Sequence, residues 1–128
     1  MKTILIVDDN VHIVNVIQDY VKKEGYDSIT AFDGEDALLK FRQFNPSLIL
    51  IDLMLPKMDG FEVCKAVRNE SDIPIIIMSA RNDDEDIING FKAGADDYVT
   101  KPYSPKLLMA RIKTILRRTN SNEKITTC

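Results

Sequence analysis

Cysteine is scarce in this chain: Cys64 and Cys128 are its only two among 128 residues. Neither has a second cysteine or a histidine at metal-ligand spacing, which excludes a disulfide framework and makes a reducing compartment the expected home. Surplus positive charge is lacking as well. Seventeen Lys and Arg against twenty Asp and Glu leave a formal charge of −3, which repels a polyanion and makes this stretch a poor DNA binder by itself. No apolar run approaches the ~18 residues that cross a bilayer. The opening MKTILIV meets Asp8 and Asp9 too soon to act as a secretory leader, so the expectation is a cytoplasmic protein with no membrane partner. Internal repeats are also missing.

What is present is the material of one soluble domain. A hydrophobic share of 45% with 29% charged residues suits a globular chain large enough to bury a core unaided. Five short apolar runs, TILIV at 3–7, DSITA at 27–31, SLILI at 47–51, IPIIIM at 73–78 and DYVT at 97–100, read as strands buried on both faces. Between and after them apolar residues return at helical spacing: Val11, Val14, Ile17 and Val21; Ala37, Leu38, Phe41 and Phe44; Phe61, Val63, Ala66 and Val67; Ile88, Phe91 and Ala95; Leu108, Ile112, Ile115 and Leu116. Gly25 and Gly94 stand where helix C-caps belong, and Ser104-Pro105 opens the last helix. Five strand-helix alternations with right-handed crossovers predict a doubly wound parallel sheet with helices on both faces. After Leu116 the apolar period stops, so residues 1–118 are expected to form the domain and 119–128 to begin a linker.

Ligands of such sheets bind beyond the carboxyl ends of the strands. There the first strand ends in Asp8-Asp9, the third in Asp52, the fourth in Ser79 and the fifth in Thr100-Lys101-Pro102. If those strands are neighbours, three carboxylates, a hydroxyl and an ammonium converge. Three like charges at close range call for a cation. Magnesium takes oxygen ligands and keeps open positions for waters and a phosphate, leaving Asp52 able to attack phosphorus while Lys101 neutralises the equatorial oxygens. Singly, each residue has a plainer use: Asp8 or Asp9 as a helix cap, Asp52 as a turn residue before Pro56, Ser79 and Lys101 as solvated loop groups, Tyr98 as packing. Cys64 reads as packing, and His12 as a first-turn surface residue.

Together these residues resemble the receiver domain of two-component response regulators, over residues 3 to 118. The resemblance implies a flavodoxin-like fold with five parallel strands in order 2-1-3-4-5, Asp52 as phosphoacceptor, and Mg2+, with Mn2+ as a substitute, held by Asp9 directly, Asp8 through water, Asp52 and the Met54 backbone carbonyl. It makes Lys101 the ion-pair partner of the phosphoryl group, Ser79 and Tyr98 the switch pair, and the Lys101-Pro102 bond cis. The partner it implies is a sensor histidine kinase. The chain is then a signalling switch and not a turnover enzyme. In the switch, Ser79 is expected to turn to the phosphoryl group and Tyr98 to turn inward behind it.

The stretch GADDYVTKPYSPKLLMARIKTILRR resembles the OmpR/PhoB-type subfamily of transcription factors, in which the fourth helix, fifth strand and fifth helix form a symmetric dimer face with intersubunit ion pairs. Asp96 with Arg111 and Asp97 with Arg118 stand at the matching positions. Ile87 and Leu107 replace a basic residue and a Glu, and are expected off the core stripe, meeting as an apolar contact across a homodimer. The subfamily carries a winged-helix DNA-binding domain after residue 118, so the chain reads as a truncated form of such a regulator that reaches DNA only through the missing part. A free-standing receiver is the alternative. An Asp-nucleophile phosphohydrolase of the haloacid-dehalogenase type would want a second Asp two residues after the nucleophile, where Met54 stands, and a flavodoxin-like cofactor binder would have to bring phosphate to three acidic strand ends.

Overall fold

The computed structural model describes the backbone of residues 2–127 and the side chains of residues 2–118. In chain order come β1 (Thr3–Val7), α1 (Val11–Lys23), β2 (Asp27–Ala31), α2 (Gly34–Phe44), β3 (Leu48–Asp52), α3 (Gly60–Glu70), β4 (Ile75–Ser79), α4 (Asp84–Lys92), β5 (Asp97–Thr100) and α5 (Pro105–Thr127). The strands form one parallel sheet in the order β2-β1-β3-β4-β5, as expected. β3 and β4 start one and two residues later than their apolar runs, so Asp52 and Ser79 are the last residues of their strands.

Side chains alternate across a strand, and here both sets are apolar. Leu5, Val7, Ile49, Ile51, Ile75 and Ile77 point to a core shared with α2 and α3. Their neighbours Ile4, Ile6, Leu48, Leu50, Ile76 and Met78 point to a second core closed by α1 and α5. Each such side chain contributes about 1.5–3 kcal/mol on leaving water, which is why an unbroken apolar run is stable only in the middle of a sandwich. Register then sets the level of every strand end. Val7 lies opposite Ile51, Asp52 opposite Met78, and Ser79 opposite Thr100, so Asp8, Asp52, Ser79 and Lys101 leave the sheet at one edge.

Four helix positions depart from the expected apolar stripes. Val11 and Phe44, at the two ends of their helices, are exposed, as are Ile88 and Phe91 on α4, while Ile87 is half-buried against the first core. Ile87 therefore does belong to the core side of α4. The cause is the length of the helix: α4 stops at Lys92, and Gly94 takes φ 110°, so buried Ala95 is not a helical residue and cannot define a helix face. Gly25 likewise takes the left-handed conformation after α1, with φ 85°. α5 passes residue 118 without a break, its backbone helical to Thr127, because no Gly or Pro interrupts that stretch. Cys128 lies outside the described residues.

Candidate functional site

Asp8, one step beyond β1, is fully buried. Its backbone N–H donates to the Ala31 carbonyl at 3.2 Å. One carboxylate oxygen accepts from the Asn10 amide at 3.0 Å and the other from Lys101 Nζ at 3.0 Å. Asp52 is arranged the same way, taking the Met54 amide at 3.3 Å on one oxygen and Lys101 Nζ at 3.1 Å on the other. Lys101 thus bridges two carboxylates carried by different strands. Asp9 is exposed, yet an oxygen of Asp8, Asp9 and Asp52 can be chosen so that all three lie within 4.8 Å of one another.

Neither Asp8 nor Asp9 is spent on capping. Asn10 caps α1 through the Ile13 amide at 3.2 Å, and Asp59 caps α3 through the Phe61 amide at 2.7 Å. The capping reading of the acidic pair therefore falls to Asn10, while Asp52 holds its turn through the Met54 amide and meets Lys101 as well. Burial pushes the Asp52 pKa upward, with Lys101 opposing and the Asp8 charge adding to it. For Lys101 burial works downward, but the hydrogen bond to Asp8 and the charge of Asp52 outweigh it and the net shift is upward. Burial thus disfavours the Asp52 charge while the Lys101 ammonium opposes that penalty, and the net effect on Lys101 is to favour its charged form. Three hard oxygen donors from side chains, two of them on one ammonium, are a fitting set for a small divalent cation.

Ser79 is fully buried at the end of β4. Its Oγ accepts from the Arg81 amide at 3.2 Å, and the Tyr98 hydroxyl donates to the Arg81 carbonyl at 2.7 Å. The two groups of the expected switch therefore meet on one residue, Arg81, which carries no part of the motif. Tyr98 lies inward with 9% of its surface exposed. The backbone of Lys101 ties β5 to the end of β4, its N–H donating to the Ser79 carbonyl at 2.7 Å, and the Lys101-Pro102 bond is cis.

The loop after Asp52 is held by close approaches at two glycines, Gly60 and Gly34. A Cβ on Gly60 would stand 2.6 Å from the Asp52 carbonyl oxygen and 2.7 Å from Leu53 Cα. One on Gly34 would stand 2.5 Å from Met58 Cβ and from its carbonyl oxygen. Asp33, which caps α2, also faces Lys57 at 3.7 Å. The dipeptides Asp33-Gly34 and Asp59-Gly60 were the signal, each a cap followed by a residue with no side chain. Met54 itself is exposed.

On the far side of the sheet the charged residues pair within the chain, and differently from the intersubunit scheme. Asp97 takes Arg111 at 2.8 Å, while Asp96 takes Arg68 at 3.2 Å and accepts the Ile75 amide at 2.8 Å. Arg68, which the sequence did not single out, also donates to the carbonyls of Ser71, Ile73 and Gly94. Leu107 is 65% exposed, off the core stripe as expected, and lines a groove with Arg111, Thr114, Arg118, Asp96 and Asp97.

Residues 4–113 match the response regulator receiver domain family. Among curated proteins, a probable transcriptional regulator ycf27 of Cyanophora paradoxa is 48% identical over 126 residues, 98% of this chain and 53% of that protein. The alkaline phosphatase synthesis transcriptional regulatory protein PhoP of Bacillus subtilis (strain 168) is 49% identical over 118 residues, 91% of this chain and 49% of that one. The chain spans about half the length of the curated relatives it matches. Among solved structures, the receiver domain of the Francisella response regulator 1452 superposes with a TM-score of 0.88 at 37% identity, covering 93% of this chain and 99% of that one.

Proposed function

The chain belongs to the response regulator receiver family, and on that premise we propose that it is the phosphoacceptor part of a transcriptional regulator, switched by phosphorylation of Asp52. The observation that carries the reading is the bridge from Lys101 Nζ to Asp8 and Asp52, beside the Asp9 carboxylate, at the edge where three strands end. Asp8, Asp9, Asp52 and the Met54 backbone carbonyl would hold Mg2+, or Mn2+ in its place. Bound there, the cation supplies neutralisation of phosphoryl charge.

The donor is a phosphohistidine of a sensor histidine kinase. An Asp52 carboxylate oxygen attacks the phosphorus in line, the new O–P bond forming as the P–N bond to the imidazole breaks. The imidazole nitrogen keeps the electron pair and takes a proton from solvent. Lys101 stabilises the charge on the transferred group, and Ser79 turns its hydroxyl toward a phosphoryl oxygen. That turn releases the Arg81 amide. Because Tyr98 holds the carbonyl of the same residue, Arg81 relays the event to the ring, whose inward position phosphate then favours over an outward one.

The message leaves by the face of α4, β5 and α5, which supports a homodimer on activation. Leu107 is available to such an interface, and its apolar counterpart on α4 falls to exposed Ile88 and Phe91 in place of half-buried Ile87. Asp96, Asp97, Arg111 and Arg118 border the same groove. DNA would be reached through a further domain such as the matched relatives have length to carry, in the cytoplasm where a kinase and DNA are both present. Among the described residues no helix is long and apolar enough to cross a membrane. A turnover phosphohydrolase fits less well, since Met54 sits where that chemistry wants an acid. Incubation with a small phosphodonor and Mg2+, followed by mass spectrometry, is expected to label Asp52 and to leave Asp52→Ala unlabelled. Label elsewhere, or label without the metal, overturns the reading.

A further inference from the structure

Among the described residues of α4, the buried one is Gly90. Glycine weakens a helix interior relative to alanine, so a buried mid-helix glycine calls for a packing reason. The reason here is an aromatic ring. A methyl group at position 90 would stand 2.9 Å from Tyr98 Cδ2, 3.2 Å from Tyr98 Cε2 and 3.0 Å from Ile77 Cδ1. The ring lies directly on the helix backbone, while its hydroxyl reaches the Arg81 carbonyl at 2.7 Å. Tyr98 is thus held at both ends: its flank by the space that Gly90 leaves open, its tip by the residue that also serves Ser79.

We infer that Gly90 is a positioning residue for Tyr98: its missing side chain is the recess that admits the ring, so this position sets how strongly the inward arrangement is favoured. The inference deepens the switch proposed above and rests on it for its consequence at Asp52, but the placement of the ring can be read without any phosphate. Of the atoms in the way, Ile77 Cδ1 is the end of a flexible chain and can rotate aside. The two Tyr98 carbons belong to a rigid plane, which can leave only as a whole. An alanine therefore expels the ring even though it strengthens the helix.

Gly90→Ala in the full chain is expected to remove most of the nuclear Overhauser contact between the Tyr98 ring and the α-proton of residue 90, as overpacking of a tight contact implies. Phosphorylation of Asp52 by a small phosphodonor with Mg2+ should persist, because Asp8, Asp9, Asp52 and Lys101 are untouched. In a Tyr98→Ala background the same substitution should raise the melting temperature, the ring no longer opposing the better helix former. A single variant that fails to fold but is rescued by Tyr98→Ala supports the inference. A contact of full strength in Gly90→Ala, a failure to fold that Tyr98→Ala does not rescue, or an equal stability change with and without the ring overturns it. If the ring is expelled while the wild-type chain takes no phosphate on Asp52, the recess stands and the phosphoacceptor reading falls.

Discussion

Lys101 shows what one residue carries in this protein. Its ammonium is the shared partner of two carboxylates, one of them fully buried. Lys101→Met leaves those charges facing each other, at a cost of about 3 kcal/mol, the size seen when one partner of a buried pair is removed. Added Mg2+ should recover much of that stability, which urea denaturation with and without the metal would measure. Asp52 phosphorylation should slow by roughly 10²–10³-fold, as when an electrostatic stabiliser of a transition state is lost. Cys64 illustrates the opposite case, a titratable group with no chemical task. Burial pushes its thiol up from 9.0 to about 12. Between those values the unfolded chain has lost a proton that the folded chain keeps, so stability falls as pH rises above 9, at up to about 1.4 kcal/mol per pH unit, and the loss levels off near the folded value. Denaturation at pH 8 and pH 10 should therefore show a larger drop for the wild-type chain than for Cys64→Ala.

At the scale of elements, the acidic edge depends on how closely helices approach the strand ends. α3 begins with Gly60 against the backbone of Asp52 itself, and backbone atoms have no rotamer by which to move away. Gly60→Ala should cost about 1–3 kcal/mol and slow Asp52 labelling, since the displaced peptide carries the proposed phosphoacceptor. Gly25→Ala is the matched control. Its Cβ would meet nothing within 4 Å, but its φ of 85° strains any side chain, so it should cost about 1 kcal/mol and leave labelling intact. Thermal melts and phosphodonor kinetics on the pair separate conformational strain from displacement of the site. α4 makes the complementary point about reading helices from sequence. Ile88, Phe91 and Ala95 have the spacing of a helix face, yet the helix ends before Ala95, so the true inner face is Ile87 and Gly90.

At the scale of the whole molecule stands the proposed output surface of α4, β5 and α5. Asp96 and Asp97, expected to cross a dimer axis to Arg111 and Arg118, have Arg68 and Arg111 as partners inside the chain. A dimer using the expected pairs must exchange these bonds, and exposed exchanges of that kind change little in net energy. The apolar residues Leu107, Ile88 and Phe91, each about half exposed or more, are then the larger source of affinity. Leu107→Glu should abolish most phosphorylation-dependent dimer formation, and Arg111→Glu should weaken it less. Sedimentation of the phosphorylated variants tests this, and an unchanged oligomeric state for both would remove the face from consideration.

The fold and the acidic edge were legible in the residues because their causes are local: apolar runs too continuous for a one-sided sheet, and carboxylates, a serine and a lysine each just past such a run. Strand alternation makes those ends coincide once the sheet is parallel, so Asp8, Asp52, Ser79 and Lys101 could be grouped from sequence alone. What sequence could not determine depends on approach between segments distant in the chain. That Asn10 and not Asp8 or Asp9 caps α1, that Arg81 joins Ser79 to Tyr98, that Arg68 holds Asp96, and that Gly34, Gly60 and Gly90 stand where any side chain would collide are matters of a few tenths of an ångström. Such distances are decided only when helices settle on the sheet, because close packing is a property of pairs of surfaces and neither surface alone encodes it.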